Sequence, residues 1–116
     1  MSTESKEIVE HAAQIISTAK EEFEYRAAVN RAYYGAFLTA RDLANVKKRT
    51  KSVHWEVINY YESEPKISND LKSLKKKRQE ADYQLDKEIT INDAENCYTR
   101  SKGVLDKLLM ITLPEK

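Results

Sequence analysis

Residues that form turns and cross-links are scarce in this sequence. Its 116 residues include two glycines and two prolines, too few for the tight turns of a sheet protein or for a flexible linker. The single cysteine, Cys97, cannot form an internal disulfide. It falls within an apolar helical pattern, which favours a reducing compartment and a structural thiol. These shortages indicate a helical protein without disulfide bonds.

Long apolar runs and the common catalytic motifs are also missing from the sequence. No run approaches the length of a membrane span, and the polar segment 1–6 does not resemble a signal peptide. We therefore expect a cytoplasmic protein without membrane association. The sequence has no glycine-rich phosphate loop, nucleophile elbow or metal-ligand spacing. We expect neither a cofactor nor a metal.

Hydrophobic residues recur at steps of three and four along most of the chain, which predicts amphipathic helices. The predicted helices span residues 4–20, 23–45, 52–61, 69–85 and a last segment that begins after a capping box of Thr90 and Asp93. A chain of this length buries one core. We therefore expect an all-α, antiparallel bundle of four to five helices that forms a single domain over residues 1–116.

The second predicted helix carries a stripe of small side chains, which a neighbouring helix can approach closely. The stripe consists of Ala28, Ala32, Gly35, Ala36 and Ala40. We therefore expect this helix to be central in the bundle.

Charge is distributed unevenly along the chain, although the net charge is +1. Residues 1–24 hold two basic and six acidic residues, whereas residues 41–78 hold eleven basic and five acidic residues. The basic side chains form two clusters, Lys47, Lys48, Arg49 and Lys51, and then Lys72, Lys75, Lys76 and Lys77. The first cluster and Lys75 are candidates for contact with a nucleic-acid backbone. The alternative is a solvated helix face, and we expect residues 75–77 mostly to point away from the core.

Three polar residues fall on predicted inner faces of helices: Arg31, His54 and Arg78. A buried guanidinium requires a partner, and Asp82 follows Arg78 by one helical turn, with Tyr83 beside it. We expect Arg31 and Arg78 to face one hollow. The group is either a buried ion pair that fixes helix register, with His54 as a core or capping residue, or a cationic cleft that binds phosphate.

Three segments resemble HEPN domains. Residues 25–37, Tyr-Arg-Ala-Ala-Val-Asn-Arg-Ala-Tyr-Tyr-Gly-Ala-Phe, are similar to the central-helix signature of that family. Residues 52–58, Ser-Val-His-Trp-Glu-Val-Ile, resemble its short segment led by a histidine, and residues 78–83, Arg-Gln-Glu-Ala-Asp-Tyr, resemble its second helix motif. The order and spacing of these segments agree with the family over about residues 7–110.

The resemblance implies a helical homodimer that is often encoded beside a minimal nucleotidyltransferase, as the toxin of a toxin–antitoxin pair, and is frequently a metal-independent RNase. RNase members carry an arginine, four to six residues and then a histidine on the motif helix, where the pair acts on the ribose 2′-hydroxyl and the phosphate. This chain departs from that pattern, because no histidine follows Arg31 or Arg78 at that distance. Arg49 and His54 fit the spacing, but they belong to the basic loop and the third helix, so we interpret that match as coincidental.

These patterns support two hypotheses. In the first, the chain is a HEPN-type toxin or defence protein that binds RNA: Arg31 and Arg78 hold phosphate, Asp82 orients Arg78, and His54 is the acid or base if the protein is an endoribonuclease. In the second, it is a non-catalytic dimeric interaction or nucleotide-binding module that partners a minimal nucleotidyltransferase, and a tyrosine such as Tyr83 receives a nucleotidyl group. The sequence leaves enzymatic activity open.

Overall fold

The computed structural model describes residues 3–46 and 52–112, with side chains described for residues 6–46 and 52–111. Five helices occur in these ranges: α1 Thr3–Thr18, α2 Glu22–Ala44, α3 Val53–Tyr60, α4 Pro65–Tyr83 and α5 Ile91–Thr112. The described residues include no strand. The predicted all-α helical bundle is confirmed. None of the described helices combines the length and apolarity needed to cross a membrane.

The ends of α2 and α5 follow from local hydrogen bonding. At the start of α5, the Thr90 amide donates to Asp93 Oδ2 at 2.9 Å and the Asp93 amide donates to Thr90 Oγ1 at 3.1 Å. This reciprocal pair is the predicted capping box. At the end of α2, Asn45 has a φ of 57°, a left-handed conformation that asparagine adopts more readily than most residues. The Val46 amide then donates back to the Arg41 carbonyl at 3.3 Å, which closes the helix.

The fourth helix differs from its predicted bounds of 69–85. It begins four residues earlier because Pro65 occupies its first turn, where the missing N–H leaves no helical hydrogen bond unmade. Helical periodicity predicts inner positions for Leu85 and Ile111, but both are exposed. The fourth helix ends at Tyr83, so Leu85 lies beyond it and is 78% exposed, and Ile111 lies near the end of α5.

Helix α2 is central because it packs against each of the other four helices. Its stripe of small residues is buried, as predicted. Two neighbouring hydroxyls reach carbonyls on this stripe: Tyr61 donates to the Ala40 carbonyl and Ser101 donates to the Ala32 carbonyl, both at 2.7 Å. Alanine side chains leave those carbonyls accessible to a packed neighbour. These hydrogen bonds therefore fix the end of α3 and the middle of α5 against α2.

The expectation that Arg31 points inward is wrong. Arg31 is exposed, because the buried side of α2 runs through the alanine stripe together with Val29, Tyr33 and Phe37. Successive residues of a helix are rotated by about 100°. Spacing shows which residues share a face with Arg31, but it does not show whether that face is the inner one.

The buried arginine of α2 is Arg26. Its guanidinium donates to the Ala81 carbonyl at 2.9 Å and to the Gln84 carbonyl at 3.2 Å, and it pairs with Glu22 at 3.2 Å. The carbonyls at the end of α4 have no partners within their own helix. Glu22 also accepts the Ile89 amide at 2.8 Å. Arg26 and Glu22 therefore join the start of α2 to the connection between α4 and α5.

Replacing Arg26 with methionine should lower the free energy of unfolding by about 2–4 kcal/mol, because the α4 carbonyls lose their charged donor and Glu22 loses its cation. Urea unfolding followed by circular dichroism measures the change. Arg31→Met is the matched control: this arginine is exposed on the same helix, so the change should stay within about 0.5 kcal/mol. Equal effects of the two substitutions would contradict this role of Arg26.

Candidate functional site

Arg78 is buried on α4 among aromatic rings. The residue is 6% exposed. The central carbon of its guanidinium lies 5.3 Å from the ring centroid of Tyr33, 5.4 Å from that of Tyr34 and 5.8 Å from that of Tyr83. A cation at such distances from aromatic faces is stabilised by the ring quadrupoles. The rings hold the charge in place without using its N–H donors.

The acidic partner of Arg78 is Asp82, as expected from the sequence, but their contact is long. Arg78 Nη1 lies 3.7 Å from Asp82 Oδ2, beyond a normal hydrogen bond. The same Oδ2 accepts a hydrogen bond from the side-chain amide of Asn30 at 3.1 Å. Arg78 Nε is buried and has no hydrogen-bond partner among the described residues. The guanidinium therefore has donor capacity that its protein neighbours do not satisfy.

His54, at the start of α3, lies between α2 and α4. Its Nδ1 is hydrogen-bonded to the Tyr33 hydroxyl. Its ring stacks on Phe37, with centroids 4.4 Å apart and planes 19° apart. Partial burial, together with the positive charges of Arg78 and Lys75, lowers the pKa of His54 below its usual value of 6.5. The imidazole is therefore neutral at pH 7.

Lys75 is also buried, contrary to the expectation that it points away from the core. Its exposure is 9%, and its Nζ lies 4.7 Å from the ring centroid of Trp55 on α3. Among the described residues, no carboxylate forms an ion pair with it. Burial and the positive charge of Arg78 lower the pKa of the Lys75 ammonium. Like Arg78, Lys75 is held by an aromatic ring.

These residues surround one open cleft between α2, α3 and α4, which we call the Arg78 cleft. It encloses about 370 Å³ and is lined by Tyr34, His54, Lys75, Arg78, Gln79 and Tyr83. Its volume falls at the lower end of the range for small-molecule sites. None of the described residues that line the cleft is acidic. Two cations, an imidazole and tyrosine hydroxyls are groups that can bind an anion such as phosphate.

A second cavity, between α4 and α5, differs from the Arg78 cleft because its cations have close carboxylate partners. It encloses about 150 Å³, and Lys77 and Arg100 contribute to its lining. Lys77 pairs with Glu80 at 3.0 Å, and Arg100 pairs with Asp70 at 3.1 Å. The lack of close carboxylates around Lys75 and Arg78 therefore distinguishes the Arg78 cleft from this cavity.

The structure brings most of the predicted site residues together. His54, Arg78 and Tyr83 line the Arg78 cleft, and Asp82 pairs with Arg78. Arg31 is exposed and does not line the cleft, so the expected hollow shared by Arg31 and Arg78 is absent from the part of the chain that the structure describes.

The residues of the predicted basic loop have no described position. Lys47, Lys48, Arg49 and Lys51 lie outside the described residues. Of the residues predicted to contact nucleic acid, Lys75 is therefore the one with a described position, and it lines the Arg78 cleft.

Sequence reasoning missed the polar groups that support the cleft. Asn30 binds Asp82 and Tyr33 binds His54, but the sequence pattern assigned them no such role. Asn30 immediately precedes Arg31. An inner face of α2 assumed one residue earlier would therefore have included Asn30. The partnership between Tyr33 and His54 joins positions 21 residues apart, and no local spacing signals it.

Comparisons with protein-family models, curated proteins and solved structures give no match. The resemblance to HEPN domains therefore rests on the three sequence segments. Within the described residues, no group of three or more His, Cys, Asp or Glu side chains could hold a metal ion. Cys97 is buried, and burial raises its pKa to about 11, which makes it an unreactive thiol at neutral pH.

The pKa of His54 should rise toward its usual value in Arg78→Met, because the larger of the two repelling contributions is removed. Proton NMR titration of the imidazole measures this change. The lowered pKa also gives a stability effect with a definite sign. As the pH falls below about 6.5, the unfolded chain binds the proton first. Stability due to His54 therefore declines until its folded pKa is reached.

The control for this titration is Lys76→Met, which removes a positive charge from an exposed position on the same helix. It should leave the pKa of His54 nearly unchanged, since solvent screens exposed charges. If both substitutions raise the pKa equally, a diffuse field rather than the cleft sets it.

Proposed function

We propose that the protein is a HEPN-type toxin or defence protein that binds RNA through phosphate in the Arg78 cleft. One observation carries the proposal: Lys75 and Arg78 are both buried against aromatic rings, and no carboxylate of the described residues lies within hydrogen-bond distance of either cation. Removing such charges from water costs several kcal/mol when no counter-charge compensates fully. A bound phosphate supplies that counter-charge.

Exposed aromatic rings favour single-stranded RNA over an isolated phosphate. Tyr83 is 73% exposed and Trp55 is 47% exposed, and each ring contacts a cation of the cleft. Single-strand binding proteins combine a cationic groove with rings on which bases stack. The basic character of residues 41–78 supports the same choice. The proposal also retains the cytoplasmic location expected from the lack of long apolar runs, and the homodimer and the nucleotidyltransferase partner that the resemblance implies.

Lys75→Met should weaken binding of a short single-stranded RNA by about three- to tenfold and reduce the salt slope by about one. Arg78→Met should weaken it by about ten- to a hundredfold, because a charged hydrogen-bond donor is lost as well. Fluorescence anisotropy at several salt concentrations measures both effects. Lys76→Met removes the same charge from the neighbouring exposed position and should change the affinity less than twofold.

Absence of RNA binding in the unaltered protein would refute the proposal. Equal losses in Lys75→Met and Lys76→Met would show that surface charge, not the cleft, binds RNA. Incubation of the protein with the same RNA in the presence of EDTA tests cleavage separately. Cleavage that is lost in Arg78→Met would extend the proposal to a metal-independent endoribonuclease. Equal cleavage in both proteins, or none in either, would restrict the proposal to binding.

A second candidate function, that of a target for a nucleotidyltransferase, is favoured by the position of Tyr83. This tyrosine ends α4, is largely exposed, and has its ring beside Arg78, which can hold the phosphates of an incoming nucleotide. In this alternative the chain is a non-catalytic dimeric module. The exposed Met110 and Ile111 of α5 offer apolar surface for dimer contacts, and light scattering tests the dimer.

Coexpression with a minimal nucleotidyltransferase should add a nucleotidyl mass to the protein if this alternative holds. The adduct should disappear in Tyr83→Phe and persist in Tyr60→Phe, since Tyr60 is similarly exposed but lies on α3 away from Arg78. Intact-mass spectrometry followed by peptide mapping measures it. An unmodified protein after coexpression would contradict the alternative and leave the RNA proposal unaffected.

A further inference from the structure

The Tyr33 hydroxyl is a buried donor that requires an acceptor. Tyr33 is completely buried, and burial raises the pKa of its phenol, so the group keeps its proton. Within the described residues, its hydroxyl makes a single hydrogen bond, to Nδ1 of His54. If His54 were the donor in this contact, the tyrosine proton would be buried without an acceptor, which destabilises the fold. The hydroxyl therefore donates.

We infer that Tyr33 is a positioning residue whose hydroxyl donates to Nδ1 of His54 and thereby presents an Nε2–H donor to the phosphate bound in the Arg78 cleft. A neutral imidazole carries one N–H, so occupation of the Nδ1 lone pair places the proton on Nε2. The tautomer follows from the Tyr33–His54 contact alone, whereas its role toward phosphate rests on the proposed function.

The plane of the His54 ring is fixed from the α2 side. Phe37 and Tyr33 both stack on it, with interplanar angles of 19° and 20°. Nδ1 faces the buried Tyr33 hydroxyl, and Nε2 lies across the ring from that contact. Since His54 lines the Arg78 cleft and its Nδ1 is occupied by Tyr33, Nε2 is the ring nitrogen left for a ligand.

The surroundings of His54 also hold it in the neutral form. Among the described residues, the titratable groups beside it are Tyr33 and Tyr34 on α2 and Lys75 and Arg78 on α4. Both ionised groups are positive and oppose a charge on the imidazole. A ligand in the cleft therefore meets three kinds of donor: the Lys75 ammonium, the Arg78 guanidinium and one imidazole N–H.

This tautomer restricts the chemistry available to His54. The lone pair of Nδ1 accepts a hydrogen bond from Tyr33, and Nε2 carries the proton of the ring. Nε2 therefore cannot accept a proton from a ribose 2′-hydroxyl. His54 then contributes to binding by donating to a phosphate oxygen. If RNA is cleaved in this cleft, a different group must act as the base.

Nitrogen-15 NMR of the labelled protein at pH 7.5, without RNA, tests the tautomer directly. His54 should show a protonated Nε2 and an unprotonated Nδ1. The exposed His11 should show the averaged pattern of an unconstrained imidazole in the same spectrum. In Tyr33→Phe, the pattern of His54 should move toward that of His11. A protonated Nδ1 or an averaged pattern for His54 in the unaltered protein would overturn the inference.

The binding role is tested with the same short single-stranded RNA. RNA should shift the Nε2 resonance of His54 and leave its Nδ1 bonded to Tyr33, and Tyr33→Phe should weaken binding by about three- to tenfold. A perturbed Nδ1, or full affinity in Tyr33→Phe despite an altered tautomer, would overturn this role. Failure of all RNA binding would refute the proposed function while the tautomer result stands. If Tyr33→Phe does not fold, the spectrum of the unaltered protein alone decides the tautomer.

Discussion

The close approach of neighbouring helices to α2 is the constraint on which the rest of this structure depends. Small side chains at positions such as Ala32 and Ala40 let hydroxyls of other helices bond its carbonyls. The same approach buries Tyr33 completely. Tyr33 contacts both His54 from α3 and Arg78 from α4. The packing of α2 therefore determines the positions of two of the cleft's polar groups, through one aromatic residue.

The fold contains two buried arginines with different surroundings. Arg26 bonds carbonyls of the α4–α5 connection and a carboxylate at 3.2 Å, so its charge is compensated within the protein. Arg78 has rings on several sides, a carboxylate at 3.7 Å and an unused buried Nε. A guanidinium that served only to fix helix register would resemble Arg26, because unsatisfied donors destabilise a fold without adding specificity. This contrast is why Arg78, and not Arg26, is interpreted as a binding group.

The sequence was sufficient for features that depend on local periodicity and capping. Five helices, the buried alanine stripe and the Thr90 capping box follow from residues within one or two turns of each other. The burial of Arg78 was also correct, because it lies on a stripe with Leu71, Leu74 and Ala81 at steps of three and four. Arg31 was placed wrongly because α2 has apolar residues on nearly every side, so periodicity does not identify the inner face. Lys75 was misplaced because its burial depends on Trp55, a contact across helices that no linear pattern encodes.

The resemblance to HEPN domains implies an arginine and a histidine on one helix, whereas here His54 and Arg78 come from two helices and line one cleft. A ligand responds to the positions of donors, not to their order in the chain. The arrangement therefore provides donors that suit a phosphate. It is less suited to accepting a proton, since an imidazole beside two cations resists protonation. These surroundings separate two roles that the motif would combine, and they are the reason for proposing binding rather than cleavage.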